Sequence, residues 1–578
     1  MRVVGRRVRW RWYGEVALEG GLALRMTGDA AKWLRPGDQV RLATEFKKPL
    51  LGFDEYTLQG SFPIWPLFSR EVAHVREGPL GGEAYRYRLR AREAMYEADF
   101  EAIAELEQYH YASEKEVVAL WSCPRCGRTL QANSKPLCPC GGEARLKEIK
   151  GSTPASRFLL LELVERLPFE PRIVGYLRLD PPIPRMHRRT PKGLERDIRE
   201  RIFPPDWFHP TYEGGLDWES ALDRVHTAAA RIARVVVHPD YRSEGFGSLL
   251  VRLALEWVRE RAAPEGRREK HLVYTIAQMA RYHPFFEKVG FRYLFDTASG
   301  RPVLFYPLTG EAEDYLERFL REDPYARAHG GRLFFSRFTP LQGLPGPIRL
   351  LWVHKAYRSH LDLSDLSPDV QEALSAFGVR ARILERAVLR GADLEIPPKS
   401  VVVLAGASGA GKTTLLRLLL GEPPDAGEVV VPPGRRVGYI PGEQEVELGE
   451  EPILERLYQK LKDVGAAIEV LNRMGLSDAV LYRARPRELS TGQRERYRLA
   501  LLLAERPDLL LLDEFAAHLD VPTARRVALG LGKLVRGVGI TLVAATHRPE
   551  VIAALDPDLL VYVGYGGLMA IPRRGPRT

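Results

Sequence analysis

The sequence has little cysteine, with four residues in 578, and it has no long uninterrupted apolar run. Four cysteines are too few for a disulfide-stabilised scaffold of this size. No apolar run reaches about 18 residues, so we expect no membrane-spanning helix and no membrane partner. The first 15 residues lack the apolar core of a signal peptide. Together these absences predict a cytoplasmic protein.

The remaining composition is that of a globular protein with a basic surplus. Hydrophobic residues make up 45% and charged residues 28% of the chain, and the formal net charge is +10. Residues 1–90 hold 16 Lys and Arg against 10 Asp and Glu, a surplus of 6. Such a surplus fits a polyanionic partner, although a solvated basic surface has the same signature.

The pattern of apolar runs and turn residues predicts a multidomain α/β protein. A basic, β-rich module with nucleic acid as its candidate ligand is predicted over 1–85. An α/β domain follows over 86–310, with a cysteine-containing insertion at about 113–150. A connector over 311–375 leads to a second α/β domain over 376–578.

A phosphate-binding loop follows the apolar run at 401–404 and opens onto a predicted helix. Its glycines allow backbone N–H groups to converge on phosphates, Lys412 adds charge at the β- and γ-phosphates, and Thr413 is placed to hold Mg²⁺. The loop residues predicted to bind ATP are Gly406, Ser408, Gly409, Gly411, Lys412, Thr413 and Thr414.

Further motifs follow in a fixed order. The segment 489–493 reads Leu-Ser-Thr-Gly-Gln, and the apolar run 509–512 ends in Asp513 and Glu514. This placement puts Asp513 near Mg²⁺ and Glu514 beside the attacking water. Asp520 and His547 come next. The series resembles the ATP-binding-cassette (ABC) ATPases over about 200 residues, and no membrane domain accompanies it, as in the ABC proteins of DNA repair and translation.

The ABC resemblance implies a head-to-tail homodimer that closes on two ATP molecules. Ser490 and Gly492, with Gln493 beside them, would contact the γ-phosphate bound by the opposite subunit, and His547 would be the switch histidine.

The sequence departs from the ABC pattern at two positions. The family has Gln directly after the strand and its Pro441, whereas this chain has Gly442; Gln444 is predicted to replace that glutamine at Mg²⁺. Phe377 is predicted to stack on adenine, with a plain core Phe as the alternative.

A second phosphate-binding pattern follows the β-branched run 235–237 and opens an amphipathic helix, 248–261. Backbone N–H groups of 243–248 can wrap a pyrophosphate at that helix N-terminus. With the later segment 283–291, this pattern resembles the GNAT acetyltransferases over about 86–308, which implies acetyl-CoA as donor; another nucleotide-binding βα unit is the alternative. The predicted acetyl-CoA contacts are Val235, Val237, Arg242, Ser243, Glu244, Gly245, Phe246, Gly247 and Ser248.

The acid of the acetyl transfer is less clear from the sequence. In the GNAT family a Tyr often precedes the late glycine, here Gly290, by four residues, and Phe286 occupies that place. Tyr282, one helical turn earlier, is predicted as the substitute that protonates the thiolate, with a packed aromatic as the alternative. No general base can be named.

The four cysteines form two pairs, Cys123 with Cys126 and Cys138 with Cys140. Thiolates at this spacing suit tetrahedral Zn²⁺, and a glycine after each pair admits a tight turn. A structural zinc-ribbon-like site is predicted. Redox dithiols and an iron–sulfur site are the alternatives.

Two basic segments are the candidate nucleic-acid contacts, since Arg binds phosphates and aromatic rings stack on bases. In 7–12 the alternation predicts three Arg on one strand face and an apolar face with two Trp. The candidates are Arg7, Arg9, Trp10 and Arg11 in the first segment and Arg185, Arg188, Arg189 and Lys192 in the second.

Acetyl-CoA is already an activated thioester, so the ATPase is expected to do conformational work on a large acceptor. The leading hypothesis is therefore an ATP-dependent N-acetyltransferase of nucleic acid, with RNA, above all tRNA, favoured over DNA. The first alternative is an acetyltransferase of proteins or small molecules that ABC dimerisation regulates. The second is a non-catalytic, ATP-gated nucleic-acid clamp that binds CoA.

Overall fold

The computed structural model describes residues 1–43, 49–110, 118–183, 185–208, 226–380, 382–442 and 448–573. The chain divides into two compact units. The first comprises Met1–Val75 and Arg86–Phe335, and the second comprises Arg76–Tyr85 and Ser336–Thr578. No helix in the described ranges combines the length and the apolar character needed to cross a membrane.

The first unit contains several sheets and a few helices. Its strands are β1 Val3–Trp10, β2 Tyr13–Leu18, β3 Leu22–Met26, β4 Arg41–Leu42, β5 Leu50–Leu51, β6 Leu58–Gln59, β7 Pro63–Trp65, β8 Ser69–Glu77, β9 Glu83–Glu93, β10 Ala119–Ser122, β11 Thr129–Gln131, β12 Arg145–Ile149, β13 Arg157–Leu163, β14 Ile173–Asp180, β15 Arg188–Thr190, β16 Gly193–Glu195, β17 Ala229–Val237, β18 Leu272–Ile276, β19 Arg292–Asp296 and β20 Pro302–Pro307. Its helices are α1 Gly28–Ala31, α2 Glu97–Glu107, α3 Phe246–Arg261, α4 Gly310–Glu322 and α5 Pro324–His329, with 3₁₀ turns at Ile198–Arg201, Pro205–Trp207, Pro239–Tyr241, Gln278–Arg281 and Glu287–Val289.

An eight-stranded sheet, in the order β19-β20-β18-β17-β14-β13-β9-β8, organises this unit. Helix α3 packs on one face, where its Leu250 shares a core with Leu177 of β14, and helix α2 packs on the other over Phe158 and Tyr176. Strands β13 and β14 are almost wholly buried because both faces are covered.

The N-terminal module consists of a sheet in the order β1-β2-β3-β5 and a small sheet β4-β6-β7 around its own core. The cysteine-containing segment forms a third sheet, β11-β10-β12. The eight-stranded sheet already begins at β8, Ser69–Glu77, which lies inside the range 1–85 that the sequence assigned to a separate module.

The second unit contains a mainly parallel sheet, a smaller antiparallel sheet and several helices. Its strands are β21 Ile348–Leu361, β22 Arg382–Ile396, β23 Val401–Ala405, β24 Ala426–Val430, β25 Val437–Ile440, β26 Leu509–Leu512, β27 Thr541–Ala545, β28 Leu559–Gly564 and β29 Gly567–Pro572. Its helices are α6 Pro368–Ala376, α7 Lys412–Leu420, α8 Ile453–Leu461, α9 Val464–Arg473, α10 Thr491–Ala504, α11 Val521–Val538 and α12 Pro549–Leu555, with 3₁₀ turns at Leu481–Arg483 and Pro486–Glu488.

The main sheet of this unit has the order β25-β26-β27-β23-β28-β29, and β25 to β28 run parallel. A second sheet, β22-β21-β24, is antiparallel. The connector predicted over 311–375 therefore differs from the structure, because β21 lies within it and pairs with two strands of this unit. The apolar run 350–353 is the signal for that strand.

Candidate functional sites

The phosphate loop leaves the buried central strand β23 at its carboxyl end. Gly406 has φ +147°, and a Cβ there would lie 2.3 Å from the carbonyl oxygen of Val563. Gly411 has φ +109° at the N-cap of α7, and a Cβ there would lie 2.2 Å from Cγ1 of Val388. Only glycine fits at either position, and the loop leads directly into a helix N-terminus that can bind an anion.

Lys412 is held over this loop. Its Nζ donates to the carbonyl oxygens of Gly406 and Ala407, both at 2.8 Å. Partial burial lowers the pKa of Lys412, an effect that the carboxylates of Asp513 and Glu514 oppose. Of the other predicted loop residues, Ser408 and Gly409 are exposed, Thr413 is half-buried and Thr414 is buried.

The two acidic residues after β26 lie in different environments. Asp513 is buried, and its backbone N–H donates to the carbonyl of Ile440 on the neighbouring strand. Glu514 is exposed and has a left-handed backbone, with φ +48°. A Cβ on Gly442 would lie 3.0 Å from Cγ of Glu514. Gly442 therefore leaves room for the Glu514 side chain, where the ABC pattern has a glutamine.

The signature segment begins helix α10. Ser490 is its exposed N-cap, and a capping box joins it to Gln493: Oε1 of Gln493 accepts from the N–H of Ser490 at 3.0 Å, and Oγ of Ser490 accepts from the N–H of Gln493 at 3.3 Å. Gly492 is half-buried in the first turn. This end of the helix is thus ordered and accessible to an anion.

Asp520 and His547 follow the main strands. Asp520 caps helix α11 by accepting from the N–H of Thr523 at 2.9 Å. His547 is exposed after β27, beside Arg548, which donates to the carbonyls of Ala516 and Leu519. Phe377 is 84% exposed, so the alternative of a core Phe is wrong. Gln444 lies outside the described residues.

The second phosphate loop connects β17 to helix α3. Ser243 has φ +68°, and Gly245 has φ +85° as the N-cap of α3. Gly247 lies in the first turn, where a Cβ would be 3.6 Å from the Phe285 ring. The hydroxyl of Ser248 donates to the carbonyl of Phe285 at 3.2 Å. The loop therefore leads into a helix N-terminus whose backbone N–H groups can bind an anion.

Several side chains of this loop hold it in place. Arg242 donates from Nε to the carbonyl of Val237 at 3.2 Å and from Nη2 to that of Tyr109 at 2.9 Å. Glu244 is fully buried and accepts from the hydroxyl of Tyr87 at 3.1 Å. Phe246 is a core residue. At 244 and 246 the groups left for a ligand are backbone N–H groups, because the side chains point into the protein.

Strands β17 and β18 pair over only part of their lengths. Ala229–Ile232 lie parallel to Leu272–Thr275, whereas the rest of β17, through Val235 and Val237, is paired in the described residues with β14 alone. The unpaired edge of β17 leads to the second phosphate loop. An extended ligand chain can pair with this edge as a strand would.

Comparison with known proteins identifies a family for each of the two regions that contain a phosphate loop. The ABC transporter family profile matches residues 389–517, and the acetyltransferase (GNAT) domain profile matches residues 214–293. A lipoprotein-releasing system ATP-binding protein, LolD 1 of Rhodospirillum rubrum, is 36% identical over 193 residues, which are 29% of this chain and 84% of that protein. The chain belongs to the ABC family.

Other relatives match the same region. The aliphatic sulfonates import ATP-binding protein SsuB 3 of Rhodococcus jostii is 41% identical over 186 residues, and the chain spans 64% of its length. A dimeric bacterial ABC transporter cassette aligns by structure at 22% identity with a TM-score of 0.30, covering 40% of this chain and all of the cassette. By the two family profiles, this ABC protein carries an ABC ATPase domain and a GNAT acetyltransferase domain in one chain.

The predicted helix that carries Tyr282 is absent from the described structure. Residues 278–289 form two separate 3₁₀ turns, because Pro284 lacks an N–H group and disfavours a helical residue before it. Tyr282 is the half-buried C-cap of the first turn, so the one-turn relation to Phe286 is wrong. Phe286 is buried against Phe291 and has no proton to donate.

The sequence did not reveal an acidic residue beside the unpaired part of β17. Glu107 ends helix α2 and is 2% exposed; it accepts from the hydroxyl of Tyr176 and, at 3.2 Å, from Nε of Arg234. Burial raises the pKa of Glu107, and Arg234 and Arg178 oppose that effect. A buried carboxylate with a raised pKa is a candidate proton acceptor. Glu107 could have been found from the sequence, because it falls on the apolar stripe of α2.

The four cysteines converge on one point. Their Sγ atoms lie within 4.8 Å of one another, with pairs at 3.4 to 3.6 Å. Tetrahedral thiolates 2.3 Å from a zinc ion would be about 3.8 Å apart. Backbone N–H groups of Cys126 and Arg125 lower the pKa of the Cys123 thiol to about 6. A Cβ on Gly142 would meet Cys123 Sγ at 2.8 Å, so this glycine makes room for the cluster.

The first basic segment is only partly available to a ligand. Strand β1 ends at Trp10, so the alternation stops there, and Trp10 stacks on Trp12 with ring centroids 5.4 Å apart. Arg11 donates to Asp29 and to the carbonyl of Thr153, and therefore acts as a structural residue. Val8, expected on an apolar inner face, is 46% exposed. Arg7 and Arg9 are exposed.

The second basic segment contains one wrong prediction. Arg188 is 3% exposed and forms ion pairs with Glu195 at 2.6 Å and Asp323 at 2.8 Å. Both carboxylates neutralise it, so it cannot bind a nucleic-acid phosphate. The other candidates of this segment, Arg185, Arg189 and Lys192, are exposed.

The Glu514 assignment predicts a specific loss of turnover. Glu514→Gln keeps the shape of the side chain but removes the proton acceptor, so ATP hydrolysis should fall by about two to four orders of magnitude. ATP binding should persist, measured by equilibrium binding of a labelled nucleotide. Glu455→Gln, at an exposed carboxylate on α8, is the control. Wild-type turnover in Glu514→Gln would refute the assignment.

The second phosphate loop predicts loss of acetyl-CoA binding when side chains are added. Gly245→Val together with Gly247→Val should abolish binding, because the left-handed N-cap becomes strained and the new side chains block the approach to backbone N–H groups. Calorimetry measures the affinity. Gly310→Val, where a Cβ meets nothing within 4 Å, is the matched control in the same unit. Unchanged affinity in the double variant would contradict the site.

Proposed function

We propose that the chain is an ATP-dependent N-acetyltransferase whose acceptor is nucleic acid, with RNA, above all tRNA, favoured over DNA. The observation that carries the proposal is the presence of a GNAT domain and an ABC ATPase domain in one chain. An acetyl thioester needs no ATP for its chemistry. The ATPase is therefore free to do conformational work, which a structured polymer requires before a base can be reached.

Charge favours nucleic acid among large acceptors. The net charge is +10, and the first 90 residues carry a surplus of 6. Arg11 and Arg188 are excluded as candidates because each is bonded within the protein. Exposed basic side chains remain in both predicted segments, and they suit contacts with phosphates. The remaining candidates are Arg7, Arg9, Arg185, Arg189 and Lys192.

In the ATPase domain we infer a homodimer that closes on two ATP molecules. Lys412 and the loop N–H groups would bind the phosphates, and Thr413 and Asp513 would hold Mg²⁺. Glu514 would accept a proton from the attacking water. Ser490, at the exposed N-cap of α10, would reach the γ-phosphate bound by the opposite subunit.

In the GNAT domain the acceptor amine would attack the thioester carbonyl of acetyl-CoA. A carbon–nitrogen bond forms, the carbon–sulfur bond breaks, and CoA leaves as thiolate. The amine proton would pass to Glu107 directly or through the hydroxyl of Tyr176, which already donates to it. Tyr282, half-buried at the end of a 3₁₀ turn, still has a hydroxyl that could return a proton to the thiolate, whereas Phe286 has none.

For the cysteine cluster we propose one structural zinc ion. All four Sγ atoms are close enough to share one ion, and four thiolate ligands leave no open position for catalysis. Zinc would fix the sheet β11-β10-β12, whose strands are short.

The zinc proposal predicts one equivalent of zinc per chain by metal analysis. Cys126→Ser should lower that content because it removes a ligand, while Arg128→Gln, which lies between the cysteine pairs but supplies no ligand, should not. A chelator should release the ion and expose four titratable thiols. Protein that contains no zinc and has four free thiols as purified would overturn the proposal.

The acceptor is tested with radiolabelled acetyl-CoA, ATP and total cellular RNA. Wild-type protein should transfer label to RNA in a nuclease-sensitive form, and Glu514→Gln should transfer at least about tenfold less per minute because opening of the RNA is blocked. Glu455→Gln is the control. Label on protein alone would favour the alternative acceptor. Absence of label from every acceptor, with acetyl-CoA bound, would favour the non-catalytic clamp.

A further inference from the structure

A cavity of about 360 Å³ lies in the first unit, far from the predicted CoA loop. Trp33, Leu34 and Ile64 of the N-terminal module form one wall of its lining, and Arg261 and His226 of the GNAT domain form another. We call it the basal cavity. Its volume is within the range of small-molecule sites.

The basal cavity is separate from the acetyl-CoA site. Helix α3 carries the phosphate loop at its N-terminus and reaches the cavity at its last residue, Arg261. Sixteen helical residues span about 24 Å. A ligand in this cavity therefore does not overlap a pyrophosphate at Gly245.

The two walls are fastened together around the cavity. Arg267 donates to both carboxylate oxygens of Asp38, at 3.2 and 2.8 Å, and to the carbonyl of Trp33. These bonds join the GNAT domain to the N-terminal module within one unit. The cavity persists beside them, so it is pre-formed and a ligand would not have to open it.

The charges around the basal cavity favour an anion. Its two acids are already paired with cations, Asp38 with Arg267 and Glu265 with Lys270, and the hydroxyl of Thr227 also donates to Glu265. Arg261 donates from Nε to Glu260 and from Nη1 to the carbonyl of Pro66, which leaves Nη2 without a bond to the described residues.

His226 lies exposed on the cavity wall. Partial burial lowers its pKa, and surrounding cations lower it further. Those cations are Arg268, Lys270, Arg267 and Arg35. A ligand here thus meets Nη2 of Arg261 on one wall and the apolar surface of Trp33 and Leu34 on the other.

We propose that the basal cavity binds an organic anion of mononucleotide size, with its phosphate toward Arg261 and His226 and its ring against the wall of Trp33, Leu34 and Ile64. Free nucleotides and the terminal nucleotide of a strand share this chemistry. The site is independent of the acetyl-transfer proposal, since it requires neither acetyl-CoA nor a reacting amine.

The experiment is calorimetry on the full chain saturated with acetyl-CoA and Mg-ADP, which occupy the two predicted nucleotide sites. The probes are 5′-CMP and 5′-GMP, with cytidine, guanosine and inorganic phosphate as separate arms and a 5′-phosphorylated dinucleotide as the strand-end arm. We expect one mononucleotide per chain, bound at least about tenfold more tightly than phosphate or nucleoside alone. A tighter dinucleotide indicates a strand end as the natural source, and a weaker one indicates a free nucleotide.

Two variants test the location. Ser61→Trp places a large side chain at an exposed position of the cavity wall and should abolish binding, while Arg261→Gln should weaken it about tenfold. Arg259→Gln, at an arginine of α3 that does not line the cavity, is the matched control, and unchanged melting temperatures show that each variant folds. No mononucleotide heat, equal binding of phosphate alone, or full affinity in Ser61→Trp would overturn the proposal.

Discussion

Both nucleotide sites depend on one constraint: a left-handed glycine at the N-cap of a helix that starts at the carboxyl end of a strand. Gly411 has φ +109° before α7, and Gly245 has φ +85° before α3. A side chain at either position would strain the backbone that turns the loop N–H groups toward a phosphate. The ATPase and acetyltransferase domains share this device although their sheets differ: β23 has parallel neighbours on both sides, whereas β17 loses its parallel neighbour halfway.

This constraint explains why the two loops could be predicted from sequence. The spacing of the glycines falls within a short stretch of sequence, and the flanking apolar runs locate the strand and the helix. The cysteine cluster was predictable for the same reason, because its four ligands lie within 18 residues of chain and their chemistry is distinctive. These features are local in sequence, so predicting them does not require knowledge of contacts between distant residues.

The incorrect predictions concern residues whose partners lie far away in sequence. Arg188 finds Asp323 across 135 positions, and Arg11 finds Thr153 across 142. The composition of a basic segment is the same whether its arginines are exposed or buried in ion pairs. A count of charged residues in the sequence therefore overestimates the basic surface that can bind nucleic acid. Tyr282 was different: Pro284 was visible in the sequence, and its effect on the helix outweighed the apparent spacing.

Glu514 shows how one departure from a motif can change its neighbour. A glutamine at 442 would place its Cβ 3.0 Å from the Glu514 side chain as it now lies. The present position of the Glu514 side chain therefore depends on the absence of a side chain at 442. Because the N–H of Asp513 bonds to the carbonyl of Ile440 on β25, Asp513 stays in place, and a rearrangement at this site falls on the exposed side chain of Glu514.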